Sequence, residues 1–467
     1  MITKRILFTI VAVTAVLTVS ACSRDESGFV PAPANTDPLV FTDNFAPGVD
    51  YQAFLNSKYD ATEVDPSVKY NGTASLKVTI PGPEDATDDA NWYAGGTCVD
   101  GYRRDLTGYD ALTFWARCSK ASATINEIGI ANDNTGNSIY TATVYSLEIS
   151  NSWDKYIIPI PEPSKLALEG GLFFFSEGHE DNAGYTIWFD DIMFEKTDLI
   201  ENPRPVLQIP VLSGYLGASV PIPGTTVTFD VVGTDRLVSS MPAYFTFFSS
   251  DDEVVEVIDG MAQPLSTGTA ILTAALGTVP AAGDIDFTAL AAPVVPAPEP
   301  TKPSGDVISV FSDVYSDWPV DSYSPEWDGA DLTDFQIDGD NILLYTNVTY
   351  AGIITETYVI DATEMDYLHL DLWIPAGVSV IGVKLIDYGP DGEYLGGDDS
   401  EKEIYITIGS TPPLTPGSWS SLDIPLEDYM VPGGLTGRSS LAQMYLTGSD
   451  ITIFADNIYF YKIPPEE

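Results

Sequence analysis

The sequence contains few of the residues that bind anions or carry common catalytic chemistry. Its 467 residues include two histidines, three cysteines and 20 lysines plus arginines, against 68 aspartates plus glutamates, for a formal net charge of −48. Because phosphate binding needs basic patches, this balance argues against a nucleic-acid-binding protein. It also disfavours polyanionic ligands, although high salt would weaken that argument by shortening the Debye length. Such acidity suggests a high-salt habitat.

Long helical patterns are also missing. No part of the chain sustains an apolar repeat of 3.6 residues. Short runs of Val, Ile, Thr, Tyr and Phe alternate instead with turns rich in Gly, Pro, Asn and Asp, which is typical of an all-β chain. Because 467 residues are too many for one hydrophobic core, we expect about three domains.

The N-terminus has the features of an export signal. Two positive charges precede an uncharged run over residues 6–21, which is short for a membrane span of about 20 apolar residues. Val19-Ser-Ala-Cys22 resembles the bacterial lipobox, and the next five residues, Ser-Arg-Asp-Glu-Ser, resemble the acidic export tag of Bacteroidetes lipoproteins. The resemblance implies a signal peptide over residues 1–21, lipidation of Cys22 and a lipid-anchored protein on the outer membrane, facing the cell exterior. The alternative is an ordinary secreted protein whose signal ends in Cys.

Two segments of similar length, residues 38–199 and 306–467, repeat one another. Each opens with Val-Phe-x-Asp and closes with an aromatic-x-Asp-x-Ile strand, and a Ser-Trp strand ending in Pro lies between these landmarks. Residues 22–37 form an acidic, Pro-rich tether. Residues 293–305 form a Pro-rich linker that we expect to be stiff and to hold the last domain away from what precedes it.

The resemblance to known families becomes specific at these landmarks. Asp105-Leu-Thr-Gly-Tyr-Asp-Ala-Leu-Thr-Phe-Trp-Ala-Arg117 and Trp188-Phe-Asp-Asp-Ile192 resemble jelly-roll carbohydrate-binding modules. Val307-Ile-Ser-Val-Phe-Ser-Asp-Val-Tyr315, followed by Pro325-Glu-Trp327, resembles accessory domains of β-glucan-degrading enzymes of marine Bacteroidetes. Residues 203–292 are similar to bacterial Ig-like domains, which are usually spacers. The expected fold is all-β: two jelly-roll β-sandwich domains separated by an Ig-like β-sandwich.

These resemblances imply a function in glycan capture. The chain is similar to the multimodular surface glycan-binding lipoproteins encoded in polysaccharide-utilisation loci, which pass oligosaccharides to a SusC/SusD-type outer-membrane complex. The implied ligand is a neutral β-glucan such as laminarin. Two rival hypotheses stay open: a glycoside hydrolase or its accessory protein, and a surface adhesin.

Aromatic side chains in loops are the candidate sugar contacts, because pyranose C–H patches stack on aromatic faces. The strongest candidates lie in the Pro-, Ser- and Asp-rich loop that carries Trp318, Tyr323 and Trp327. Trp92 and Tyr140 are the candidates in the first repeat. Weaker candidates are Tyr350, Tyr388 and Tyr394. For each of these residues the alternative is ordinary loop packing.

Aspartates on the opening and closing strands are candidate calcium ligands. Period-two alternation places Asp190, and likewise Asp456, on one face with apolar neighbours, where a carboxylate costs several kcal/mol unless it is compensated. Calcium takes such hard oxygen ligands. The resembled modules often carry structural Ca²⁺ here, which implies that Asp43 with Asp190, and Asp313 with Asp456, hold it. The alternative is an aspartate hydrogen-bonded to backbone amides.

Cys98 and Cys118 are the cysteines beyond Cys22. In an exported protein this even pair predicts one disulfide, if the two residues lie on neighbouring strands. The alternative is two unpaired buried thiols.

Catalytic motifs are absent from the sequence. There is no Gly-x-Ser-x-Gly, His-Glu-x-x-His or P-loop pattern, and no Glu-x-Asp-x-x-Glu strand of the laminarinase type. Glu63-Val-Asp65 runs into Pro66, and Glu401-Lys-Glu403 lacks the required spacing. We therefore expect a binding protein with no catalytic residues rather than an enzyme.

Overall fold

The computed structural model describes residues 34–87 and 91–463, so the predicted signal peptide, Cys22 and most of the tether lie outside the described residues. The predicted all-β fold is confirmed: the described residues form strands and short 3₁₀ turns, with no α-helix among them. Accordingly, no helix in these two ranges has the length and apolar character needed to cross a membrane.

The first sandwich consists of two antiparallel sheets. Its strands are β1 (Leu39–Phe41), β2 (Val49–Ala53), β3 (Thr62–Asp65), β4 (Ser75–Ile80), β5 (Tyr93–Arg104), β6 (Ala111–Cys118), β7 (Ser122–Ile130), β8 (Ala142–Ser150), β9 (Asp154–Pro159), β10 (Glu169–Gly178) and β11 (Tyr185–Glu195), with 3₁₀ turns at Pro83–Asp85 and Pro163–Lys165. One sheet has the order β3-β4-β11-β6-β9, with β1 beside β11, and the other contains β2-β5-β10-β7-β8.

Aromatic rings fill the space between these two sheets. Alternation along β6 turns Phe114 inward, where its ring centroid lies 5.8 Å from that of Phe173 on β10 and 5.6 Å from that of Phe189 on β11. The rings of Phe173 and Phe189 are 5.4 Å apart. The three side chains are fully buried, and they join the two sheets into one core.

The middle segment is joined to the first sandwich by a shared sheet. Its strands are β12 (Ile200–Leu207), β13 (Val211–Tyr215), β14 (Val220–Pro221), β15 (Thr225–Val231), β16 (Thr234–Ser240), β17 (Thr246–Ser249), β18 (Val255–Ile258), β19 (Met261–Pro264), β20 (Gly268–Leu276), β21 (Val279–Pro280) and β22 (Ile285–Leu290), with a 3₁₀ turn at Pro242–Tyr244. Strand β16 pairs with β8 through Ser239 opposite Thr143 and Ser240 opposite Ala142. The second sheet of the first sandwich thus continues through β16 and β15 to β12.

The third sandwich repeats the strand pairing of the first. Its strands are β23 (Val307–Phe311), β24 (Gly329–Ile337), β25 (Asp340–Ile354), β26 (Tyr367–Trp373), β27 (Val380–Asp387), β28 (Ser400–Thr407), β29 (Trp419–Pro425) and β30 (Leu441–Tyr461), with 3₁₀ turns at Ser304–Asp306 and Leu426–Tyr429. Strand β23 pairs with β30 as β1 pairs with β11, and β26 lies between β29 and β30 as β6 lies between β9 and β11. The long strands β25 and β30 pair from Leu343 opposite Ala455 to Ile354 opposite Gln443, with register shifts between Tyr345 and Tyr350.

The Pro-rich linker packs against the third sandwich. Trp419 Nε1 donates a hydrogen bond to the carbonyl oxygen of Val295 (2.9 Å), and Asn457 Nδ2 donates one to that of Pro298 (3.2 Å). The expectation that the linker holds this domain away from its neighbour is wrong, because Tyr215 of the middle segment contacts Phe454 of the third sandwich. Proline lacks an N–H but keeps its carbonyl, so a Pro-rich segment offers acceptors that neighbouring side chains can bind.

The middle segment also contacts the third sandwich directly. Tyr215 packs edge-on against Phe454, with ring centroids 5.5 Å apart, and its hydroxyl is hydrogen-bonded to that of Thr452. Ala218 and Ala292 join Phe454 in the same buried cluster. The middle segment is therefore packed against both of its neighbours.

The predicted disulfide is wrong. Cys98 and Cys118 are both free and buried. They lie on β5 and β6, which belong to different sheets of the first sandwich and are not neighbouring strands. Burial raises the pKa of the Cys98 thiol to about 12, so this side chain behaves as a small apolar core residue.

Candidate functional site

A cleft of about 580 Å³ opens on the outer face of the third sandwich, over β25, β27, β28 and β30. Alternation along β30 explains which of its side chains line the base of the cleft. Met444 and Leu446 point into the core, whereas Gln443, Tyr445 and Thr447 line the cleft. Regular strands therefore hold the cleft-lining side chains at fixed positions.

Three aromatic rings meet at this cleft. The ring of Tyr445 lies between those of Trp327 and Tyr350, at centroid distances of 6.1 and 6.2 Å and interplanar angles of 62° and 72°. The Tyr350 hydroxyl donates to the carbonyl oxygen of Trp327 (2.8 Å), which ties the loop before β24 to the sheet. Trp327 remains 51% exposed. Rings in this arrangement offer a sugar both apolar faces and polar edges.

A buried polar network holds Tyr445 in place. Its hydroxyl donates to Gln443 Oε1 (2.5 Å), and Gln443 Nε2 donates to the hydroxyl of Tyr388 (2.6 Å) and to Glu356 Oε1. Tyr388 also donates to Glu356. Burial raises the pKa of Tyr445 to about 12, so its hydroxyl stays neutral and available as a donor near neutral pH.

The cleft carries more negative than positive charge. Asp399, Glu401 and Glu403 line it, and Lys384 is the cation among its lining residues. The Lys384 ammonium is paired with Glu401 at 2.7 Å and lies 5.9 Å from the centroid of the Tyr445 ring. Carboxylates and a lysine can bond hydroxyl groups, whereas an anionic ligand would be repelled here.

The structure separates the three aromatic residues predicted in the loop before β24. Trp327 is not a lining residue of the cleft, but its ring lies beside that of the lining residue Tyr445, at the edge of the cleft. Trp318 is partly exposed, donates through Nε1 to the carbonyl oxygen of Tyr358 (2.7 Å) and is not among the cleft residues. Tyr323 packs against Phe311 and donates to the carbonyl oxygen of Val310 (2.8 Å), so its ring fills volume rather than facing solvent.

The other candidates also differ in their surroundings. Tyr350 and Tyr394 line the cleft, whereas Tyr388 is buried beneath it. In the first sandwich Trp92 is 55% exposed, while Tyr140 is partly buried against Tyr244 of the middle segment, with ring centroids 5.4 Å apart.

Sequence reasoning missed Tyr445, Gln443, Lys384 and Glu403. The signal that could have found Tyr445 is its alternation with Met444 and Leu446 in a strand whose other face is apolar. A loop-based search for aromatic residues passes over a tyrosine in the middle of a strand.

The aspartates predicted to bind calcium in the first sandwich accept hydrogen bonds from the backbone of a loop. Asp43 Oδ1 accepts hydrogen bonds from the backbone N–H groups of Thr73 and Ala74, and Asp190 Oδ2 accepts them from those of Tyr70 (2.8 Å) and Asn71 (3.2 Å). These carboxylates are compensated by backbone amides, which is the alternative that the sequence left open. Across residues 34–87 and 91–463 no three carboxylate, imidazole or thiol groups form a preorganised metal site.

The corresponding aspartates of the third sandwich are less well compensated. Asp313 accepts from the backbone N–H (2.5 Å) and the side-chain amide (2.7 Å) of Asn341, and Asp456 Oδ1 accepts from the backbone N–H of Asn457 (2.6 Å). Asp456 Oδ2 is buried without a donor. Burial and the nearby Asp340 carboxyl raise the pKa of Asp456, and burial likewise raises that of Asp340. A shared proton or a cation would relieve this pair.

Comparison with known proteins supports carbohydrate binding as the class of function of the first sandwich. Residues 39–196 match the family model described as carbohydrate binding domain 30. This match covers β1 to β11 and supports carbohydrate binding by a chain built of several modules. No curated protein sequence matches the chain.

Solved carbohydrate-binding modules show low overall similarity to the chain. A family 30 module is 15% identical, with 34% of this chain and 90% of that chain covered and a TM-score of 0.26. The family 11 module of the cellulosomal cellulase Lic26A-Cel5E of Clostridium thermocellum is 18% identical, with 34% and 97% covered and a TM-score of 0.25. The CBM22-1–CBM22-2 tandem domain of Paenibacillus barcinonensis Xyn10C is 12% identical, with 92% and 99% covered and a TM-score of 0.22.

Proposed function

We propose that this protein captures a neutral polysaccharide at the cell surface and binds it without cleaving it. The observation that carries this proposal is the cleft of the third sandwich, where Trp327, Tyr350 and Tyr445 meet above a fixed polar network. The family match of the first sandwich supports the same class of ligand.

The charge of the cleft favours a neutral glycan. Its carboxylates outnumber Lys384, so a uronic acid or a sulfated sugar would meet unfavourable charge and its anionic group could not donate to them. Neutral hydroxyl groups can accept from Lys384 and donate to the carboxylates. Within this class we propose a β-glucan such as laminarin, a choice that depends on the resemblance of the third segment.

The setting we propose is the outer surface of the outer membrane. The lipobox-like sequence supports the proposal of a lipid on Cys22, and a SusC/SusD-type complex is the proposed recipient of captured oligosaccharide. Two sandwiches on one tether can engage a repeating polymer together, and the second contact then benefits from a high effective concentration.

Calcium would fit the third sandwich better than the first. Asp340 and Asp456 would hold it, because Asp456 Oδ2 lacks a donor and burial raises the pKa of both carboxyls. A bound Ca²⁺ would supply positive charge that stabilises these two carboxylates. In the first sandwich the backbone amides already serve this purpose.

Affinity gel electrophoresis against a panel of polysaccharides tests the proposal. We expect laminarin to retard the full chain and sulfated or uronate polymers to have no effect. Tyr445→Ala should weaken retardation by about tenfold, because central aromatic anchors typically contribute 1–2 kcal/mol or more.

Tyr59→Ala is the matched control, because this tyrosine of the first sandwich is 79% exposed and its loss should leave retardation unchanged. A failure of every neutral glycan to retard the chain would refute the proposal and favour an adhesin. A sustained release of reducing ends from laminarin would instead favour a hydrolase.

A further inference from the structure

A second open volume of about 540 Å³ adjoins the cleft of the third sandwich. It lies over the start of β27 and the end of β28, and its lining includes Gly382 and Tyr405. The two volumes share Glu403 and Thr447 as lining residues. They are therefore neighbouring parts of one surface depression.

A row of hydrogen-bonded side chains separates the two volumes. The Thr447 hydroxyl donates to Glu403 Oε1, and the Tyr405 hydroxyl donates to Glu403 Oε2 (2.6 Å). Gly382 lies in the strand beside this row, opposite both Thr447 and Tyr405. A Cβ atom at residue 382 would lie 2.2 Å from Glu403 Oε1 and 2.2 Å from Thr447 Oγ1, so no larger residue fits without moving them.

Strand periodicity aligns the polar and aromatic groups along this depression. Glu401, Glu403 and Tyr405 follow at intervals of two residues on β28, and all three line one or the other volume. Two residues of a strand advance by about 6.8 Å, so Glu401 and Tyr405 are about 14 Å apart along it. This length exceeds what a single sugar ring needs.

Exposed side chains line both parts of the depression. Leu395, in the first volume, is 76% exposed, and Val380 and Tyr405, in the second, are also exposed. The Tyr405 ring is 61% exposed and is held by the hydrogen bond to Glu403, which raises the pKa of Tyr405. It therefore presents an aromatic surface beyond the Glu403 row.

We propose that the two volumes form one open-ended groove that binds an interior segment of a neutral polysaccharide chain, with Tyr405 as a platform for the sugars beyond Glu403. This inference deepens the proposed function and depends on it. The groove runs along the strand direction of β28, and a chain can enter and leave without a free end. Tyr445 contacts the sugars of any bound oligosaccharide, whereas Tyr405 contacts those of longer ones.

The test measures affinity as a function of chain length, by titration calorimetry of the full-length chain with laminari-oligosaccharides of two to eight units and with laminarin. The binding that is due to the third sandwich is obtained by subtracting the binding measured for the Tyr445→Ala protein from that measured for the natural protein. We expect Tyr405→Ala to weaken binding of the longest oligosaccharides and of laminarin by about two- to tenfold. Binding of the disaccharide and trisaccharide should remain unchanged, because these ligands do not reach residue 405.

Gly382→Leu provides a second variant, since its side chain would obstruct the groove at the Glu403 row. Because it also displaces Glu403 and Thr447, which line both volumes, it should weaken long ligands more than the trisaccharide. Thermal melting checks that each variant is folded. Affinity that is independent of chain length, or a Tyr405→Ala protein that binds every ligand as the natural protein does, would overturn the groove while leaving the proposed function intact. An absence of binding by the natural protein to any of these glucans would overturn the proposed function and this inference together.

Discussion

The ionisation of His369 gives a prediction that the structure allows to be worked out in detail. His369 is buried on β26, its ring stacked on that of Tyr459 with centroids 4.5 Å apart. Its Nδ1 lies 2.7 Å from Asp423 Oδ1, and its Nε2 lies 3.5 Å from Asp371 Oδ2. Burial alone would lower the pKa of His369, but the hydrogen bonds to the two aspartates outweigh burial and raise it to about 8.

The magnitude follows from the linkage between protonation and folding. A histidine has a pKa of about 6.5 in an unfolded chain, so a folded value of about 8 corresponds to roughly 2 kcal/mol of stability. Because the folded value is the higher one, this contribution is fully present below pH 6.5 and is lost as the pH rises through 8. The Pro298–Lys302 segment of the linker lies over the same groups, so the stability that is lost at high pH concerns the region where the linker packs against the third sandwich.

Two measurements check this prediction. His369 and His179 are the two histidines of the chain, so in a His179→Gln protein the remaining imidazole resonance in a proton NMR titration belongs to His369. We expect it to titrate near pH 8. In urea unfolding between pH 6 and 9, the stability of the natural protein should fall by about 2 kcal/mol more than that of His369→Gln. Parallel curves, or titration below pH 6.5, would refute the reasoning.

Two further predictions follow from the buried carboxyls and thiols. Calcium at 100 times its dissociation constant should raise the free energy of unfolding by about 2.7 kcal/mol. The Asp456→Asn substitution should abolish this increase, whereas Asp43→Asn should not. Equal increases in both variants would place the cation elsewhere. Alkylation in denaturant without a reductant, followed by peptide mass spectrometry, should find both Cys98 and Cys118 modified, and recovery of a peptide that links them would contradict the structure.

The candidate site was only partly predictable from the sequence. Trp327 was found because an aromatic residue in a Pro- and Ser-rich loop usually faces solvent, and it does reach the cleft. Tyr323 has the same local sequence context but fills core space against Phe311. Tyr445 lies in a strand, where alternation with Met444 and Leu446 indicates that it faces away from the core but does not show that Trp327 and Tyr350 meet it there. In each of these three cases, the exposure of the aromatic ring depends on residues that are distant in sequence and not on the local sequence.

The aspartates and cysteines illustrate the same limit. The pattern around Asp190 indicated correctly that a carboxylate is buried, but only the fold shows that the amides of Tyr70 and Asn71 reach it from a loop about 120 residues earlier. Cys98 and Cys118 are near in sequence, yet the chain crosses from one sheet to the other between them.

The sequence by itself determined the all-β class, the repeat of two segments and the acidic character, because strand alternation, ordered landmarks and charge are local or additive properties. The tertiary structure decided the features that depend on distant strands. These are the continuous sheet from β8 to β16, the packing of the linker against Trp419 and Asn457, and the assembly of Trp327, Tyr350 and Tyr445 into one cleft. Each requires groups far apart in sequence to meet, and only the packing of the sheets brings them together.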